Sequence, residues 1–172
     1  MTIVLGVDPG SRVTGYGIVR IQKQKVDCLG YGTIQLKQTA MDERLKYLFE
    51  QLTQVIEKFL PDEAAIEQVF MHQNPGAALK LGQARGAAIV TLKQHIDRVA
   101  EYSAKQIKQA AVGYGAASKV QVQQMVVRLL TLHEIPAEDA ADALAVALCH
   151  AYTRQSLKKL TGVVGVKEGR WR

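Results

Sequence analysis

A chain of 172 residues, 48% hydrophobic and 22% charged, is long enough for one domain with a sizeable core and too apolar to be a disordered segment. No apolar run reaches the length of a membrane span, and no basic stretch followed by a long apolar one suggests a secretory signal, so neither a membrane protein nor a secreted one is expected. The net charge of +6 is uneven: eight Lys/Arg face two acids from Lys80 to Leu132, and six face one acid from His150 to Arg172. Such a balance suits either a gripped polyanion or plain solubility.

The elements follow in order. Residues 2–8 read as a buried strand, Asp8 to Ser11 as a turn, and residues 13–22 and 25–36 as two more strands of an antiparallel meander. Leu45, Leu48, Phe49, Leu52, Val55, Ile56 and Phe59 repeat at helical spacing, with Asp42 as the expected cap and Pro61 as the stop. Residues 63–69 read as a fourth strand, Pro75 opens a long helix to about Gln94, and residues 97–102 read as a fifth strand. Ser103 with Gln106, and Ser118 with Gln121, fit capping boxes of two shorter helices. The last helix is expected from near Ala137 to about Arg154. The fold class is therefore α/β, a mixed five-stranded sheet flanked by helices. One domain is expected over residues 1–156, followed by a basic, flexible tail over 157–172. Cys28 and Cys149 lie in apolar segments without metal-like spacing and are expected as free thiols in a reducing cytoplasm.

Four acids sit inside segments that should build the core. Asp8 ends an apolar strand, Glu67 ends another, and Asp139 and Asp142 open the apolar stretch from Ala140 to Cys149. A buried unpaired carboxylate costs several kcal/mol or takes up a proton. Asp139 and Asp142, three apart, share one helix face and could simply complement the helix dipole. Asp8 alone could form a turn, and Glu67 alone could pair with a base. Together the four suit a divalent-cation site, and hard oxygen donors select Mg²⁺ or Mn²⁺.

These segments carry a resemblance. GVDPGSRVTGYG at residues 6–17, AIEQVF at 65–70, LKLGQARG at 79–86 and DAADAL at 139–144 resemble, in order and spacing, the RuvC family of Holliday-junction resolvases. The resemblance implies a ribonuclease H-like fold. It also implies a homodimeric endonuclease that nicks a four-way DNA junction symmetrically, leaving 5′-phosphate and 3′-hydroxyl ends. The family's metal-binding acids carry over to Asp8, Glu67, Asp139 and Asp142, with two Mg²⁺ ions (or Mn²⁺) per site, and its active-site lysines carry over to Lys108 and Lys119. It further implies work alongside the RuvA–RuvB branch-migration complex in the cytoplasm.

Lys119 follows the expected cap Ser118, where the helix dipole disfavours a cation unless a phosphate binds there; otherwise it extends into water. Lys105 and Lys108 occupy the start of the preceding helix with the same two readings. Phe70 precedes a polar loop and is either a core residue or, as the resemblance implies, a platform for an unpaired base. Arg12 and Arg85 are further candidates for the DNA backbone. The helix after Pro75 carries Gly76, Gly82 and Gly86, each costing about 1 kcal/mol relative to alanine, which close packing on its own sheet or on a second subunit would offset. The resemblance favours the second subunit. The competing readings are a RuvX-like nuclease, an actin- or sugar-kinase-type nucleotide binder, for which 172 residues are too few, and a non-catalytic DNA-binding module, which leaves the four acids without purpose.

Overall fold

The computed structural model describes residues 1–69 and 74–163, with side chains as far as Leu157. Ten elements follow the expected order: β1 (Thr2–Asp8), β2 (Val13–Gln22), β3 (Lys25–Gln35), α1 (Met41–Phe59), β4 (Glu63–Glu67), α2 (Pro75–His95), β5 (Val99–Tyr102), α3 (Ala104–Val112), α4 (Lys119–Leu130) and α5 (Glu138–Val163). The sheet runs β3-β2-β1-β4-β5. The first three strands are antiparallel, and β4 and β5 run parallel to β1.

Strand alternation divides the core in two. Val4, Val19 and Ala65 face α3, α4 and α5, where they meet Ile107, Val126 and Leu144. Leu5, Val7, Ile18, Ala64 and Ile66 face α1 and α2, where they meet Leu48, Leu52, Ala84, Ala88 and Leu92. Each fully buried leucine contributes roughly 1.5–3 kcal/mol. Asp8 keeps the parity of Val4, and Glu67 that of Ala65, so both acids belong to the face that α5 covers.

Alpha-5 can lie directly on that face because three glycines, Gly6, Gly15 and Gly17, clear its path. A Cβ on Gly6 would stand 2.2 Å from the Ala143 carbonyl oxygen, and one on Gly15 would stand 1.9 Å from that of Asp139. Any side chain there would lift the acidic end of α5 off β1 and β2.

Several boundaries differ from expectation, among them the start of β5, at Val99 rather than residue 97. Alpha-1 is capped at Ala40 without a side-chain hydrogen bond, and Asp42 sits inside the first turn, complementing the dipole instead. Beta-4 ends at Glu67, two residues early. Alpha-5 continues to Val163 rather than ending near Arg154, and residues 164–172 lie outside the described residues. Both capping boxes form, at Ser103 and Ser118. Cys28 and Cys149 are free thiols. Among the described residues no helix is long and apolar enough to cross a membrane.

Candidate active site

Asp8 and Glu67 end adjacent parallel strands, where Val7 pairs with Ile66. The turn after Asp8 is fastened from several sides. Thr14 Oγ1 donates to the Gly10 carbonyl at 3.1 Å, Leu36 N–H donates to the Arg12 carbonyl at 2.8 Å, and Arg44 reaches from α1 to the Ser11 carbonyl at 3.2 Å. Asp139 and Asp142 arrive on the first turns of α5 above the strand ends.

The acids act on one another. Burial, then the charges of Glu67, Asp142 and Asp139, push the Asp8 carboxyl up to about 8, and Asp8 and Glu67 share a hydrogen bond. Glu67 is raised by burial and by Asp142, against the opposing pull of Asp8, Lys119 and Lys108. Asp142 is raised by burial, with Lys119 and Lys108 opposing. Crowding of these carboxyls favours whatever neutralises charge there, a proton or a cation. Oxygen-only donors, crowded and mutually repelled, fit a hard divalent ion. Among the described residues no group of three or more such side chains stands ready to hold a metal ion.

Lys108 and Lys119 bring positive charge to these acids from α3 and α4. Lys119 is also bonded to Glu138, and that bond, with the charges of Asp142 and Asp8, raises its pKa. The remaining sequence candidates divide. Arg12 is exposed at the rim of the β1–β2 turn. Lys105 lays its stem against Gly115. Arg85, expected as a DNA contact, is engaged within the chain: its Nε donates to the Glu67 carbonyl at 3.0 Å and its guanidinium pairs with Glu101. Phe70 lies outside the described residues.

Sequence reasoning missed Glu138, Arg44 and Glu101. Only Glu138 left a trace, as an acid directly preceding Asp139; the pairings of the other two span 33 and 16 residues and come from the tertiary fold. It also missed a second cluster at the opposite end of β4. There Glu63, 5% exposed, binds His150 at 2.9 Å, Arg154 at 3.0 Å and Arg98 at 3.3 Å. Tyr102 and His150 share a further hydrogen bond of 2.9 Å.

A mixed sheet in the order 3-2-1-4-5, with acids at the ends of its two central parallel strands and on the helix crossing them, defines a ribonuclease H-like protein. Residues 4–150 match the family described as crossover junction endodeoxyribonuclease RuvC. The chain is 54% identical to a protein of that name from Tolumonas auensis, with both chains covered in full. It is 51% identical to another from Francisella philomiragia, with 99% of each covered. Its structure resembles that of Thermus thermophilus RuvC in complex with Holliday junction substrate, with a TM-score of 0.83 and 32% identity over 91% of this chain and 96% of that one. The chain belongs to the RuvC family of endodeoxyribonucleases.

Proposed function

We propose that this protein resolves Holliday junctions in recombination and repair, cutting two strands symmetrically by metal-dependent phosphodiester hydrolysis and leaving 5′-phosphate and 3′-hydroxyl ends. The observation that carries the reading is the convergence of acids from β1, β4 and α5, one of them pushed up to about 8, beside two lysines. Asp8, Glu67, Asp139 and Asp142 would hold the ions, two Mg²⁺ per site or Mn²⁺ in their place. Metal bound there lowers the pKa of a ligating water and neutralises charge on the phosphodiester. Lys108 and Lys119 stand where they can stabilise negative charge developing on the scissile phosphate. Arg12 and Lys105 would grip the flanking backbone, and Phe70 would stack on an opened base.

The reading extends to a homodimer. Leu79, Gly82, Gly86 and Val90 recur at spacings of three and four, so they share one face of α2. Leu79 is 72% and Val90 57% exposed, and a Cβ on Gly82 or Gly86 would meet nothing within 4 Å. Among the described residues the glycines therefore have no packing reason. A second copy laid on this face supplies one, and two related sites would then cut two strands of like polarity. Family membership alone supports work with RuvA–RuvB in the cytoplasm, and a domain of residues 1–156 followed by a basic tail.

The test is Mg²⁺-dependent cleavage of a synthetic four-way junction beside a linear duplex of matched sequence, with Asp8→Asn in parallel. Paired nicks at the junction, lost in a folded, junction-binding Asp8→Asn protein, are expected. Junction binding without cutting in either Mg²⁺ or Mn²⁺ would overturn the reading.

A further inference from the structure

Glu67 is the last residue of β4, where a strand loses the neighbours that fix it. Ala64 N–H donates to the Arg98 carbonyl and Gln68 N–H to the Tyr102 carbonyl, both at 2.8 Å. The even residues of β4 thus turn their backbone groups to β5, and Glu67 turns its own toward β1. Beta-1 ends at Asp8, and the next residue, Pro9, has no amide hydrogen. The ladder therefore offers the Glu67 carbonyl no donor at this corner.

Arg85 fills the place. Its Nε donates to that carbonyl at 3.0 Å while its guanidinium pairs with Glu101 on β5. One side chain thereby joins α2, β4 and β5 beside the acid that meets Asp8. Its side chain is 19% exposed, against 68% for Lys119, so it is the more enclosed of the two and both its bonds are made to the protein itself. A planar fork with five donors suits two acceptors at fixed angles, and a lysine does not reproduce it.

We propose that Arg85 is a positioning residue: by holding the Glu67 carbonyl it fixes where the Glu67 carboxylate meets Asp8, and so sets the affinity of the site for its divalent cation. The inference rests on the assignment of those acids as the metal site. Outer partners of metal ligands commonly change metal affinity by about 10- to 100-fold when removed.

The experiment measures Mn²⁺ binding by the electron paramagnetic resonance of the free ion, in full-length wild type, Arg85→Ala, Arg85→Lys, Glu101→Gln and Glu67→Gln. Junction binding in EDTA and the Mg²⁺ concentration for half-maximal cleavage are read alongside. Arg85→Ala is expected to weaken Mn²⁺ binding about tenfold and raise the Mg²⁺ requirement in step, with junction binding in EDTA unchanged. Arg85→Lys and Glu101→Gln, which preserve more of the local packing, should fall between it and wild type and carry the test where Arg85→Ala fails to fold. Weakened junction binding with unaltered Mn²⁺ affinity would make Arg85 a DNA contact and overturn the proposal. Unaltered Mn²⁺ affinity in both conservative variants would overturn it too. If Glu67→Gln keeps wild-type Mn²⁺ affinity, the site assignment itself is wrong and the proposal falls with it.

Discussion

Lys119 is held by Glu138, the residue immediately before Asp139. Their side chains are 68% and 60% exposed, so the bond is a surface ion pair, typically worth about 0–1 kcal/mol. Such a pair holds the ammonium beside the acids yet is weak enough for a phosphate to replace. If Lys119 takes the scissile phosphate as proposed, Glu138 competes with substrate for it.

Replacing Glu138 with Gln should lower KM for a junction by up to about fivefold, the equivalent of 1 kcal/mol, and leave kcat unchanged. Lys119→Ala should instead lower kcat, by about 10²–10³-fold if Lys119 stabilises the developing charge. Steady-state cleavage of a labelled junction measures both. An unchanged KM in Glu138→Gln would remove Glu138 from the account.

Asp8→Asn should be more stable than wild type in EDTA. Its carboxyl is pushed up to about 8 by burial and by three neighbouring acids, so at neutral pH folding must put on this carboxyl a proton that the unfolded chain does not hold, a cost that an amide avoids. Each kcal/mol relieved raises Tm by about 2–4 °C in a domain of this size. Calorimetry should show the gain in EDTA, and the same protein should lose at least about 10²-fold in cleavage, as loss of a metal ligand exceeds loss of its outer partners. A lower Tm in EDTA would contradict the crowding.

Much of this arrangement was legible in the sequence. Helical spacing from Leu45 to Phe59 placed α1, and the Ser–Gln pairs at Ser103 and Ser118 placed two helix starts almost to the residue, because both signals are local. Acids inside apolar runs marked the site, because strand alternation and the burial cost of charge are written along the chain. What escaped was pairwise and distant. Arg85 looked like a free cation until the fold set the Glu67 carbonyl before it. Glu63 looked like an ordinary strand start, because His150 and Arg154 lie about half the chain away. The openness around Gly82 could not be distinguished from packing on the chain's own sheet, since a glycine on a helix reads the same in either setting.

The Glu63 cluster predicts an acid-sensitive limb of stability. Burial pushes the Glu63 carboxyl up, but His150, Arg154 and Arg98 together bring it below its ordinary 4.5. A depressed folded-state value contributes stability that is complete above the unfolded value and lost as pH falls through the folded one. Thermal melts of wild type and Glu63→Gln from about pH 6 to about pH 3 should therefore converge toward the acid end, with wild type the more stable near pH 6. Parallel curves would show that the charge on Glu63 does not matter.

Gly82→Glu should weaken dimerisation without unfolding the protomer, since a Cβ there meets nothing within 4 Å among the described residues. Analytical ultracentrifugation over a concentration series should show the mutant dissociating at least about tenfold more readily, the equivalent of 1.4 kcal/mol. An intact dimer from a folded Gly82→Glu protein would rule this face out.

Beta-4 and α5 run past each other in opposite senses, and their acidic and basic residues fall at matching intervals. Glu63 and Glu67 lie four strand residues apart, roughly 13 Å. Asp142 and His150 lie eight helical residues apart, roughly 12 Å. The two elements behave like the halves of a clothes peg: pinned at one end by Glu63 with His150 and Arg154, and sprung at the other, where Glu67 and Asp142 push apart. A cation between Glu67 and Asp142 would relieve that repulsion against a pivot already set, so its arrival would need to move only side chains while strand and helix stay where they are.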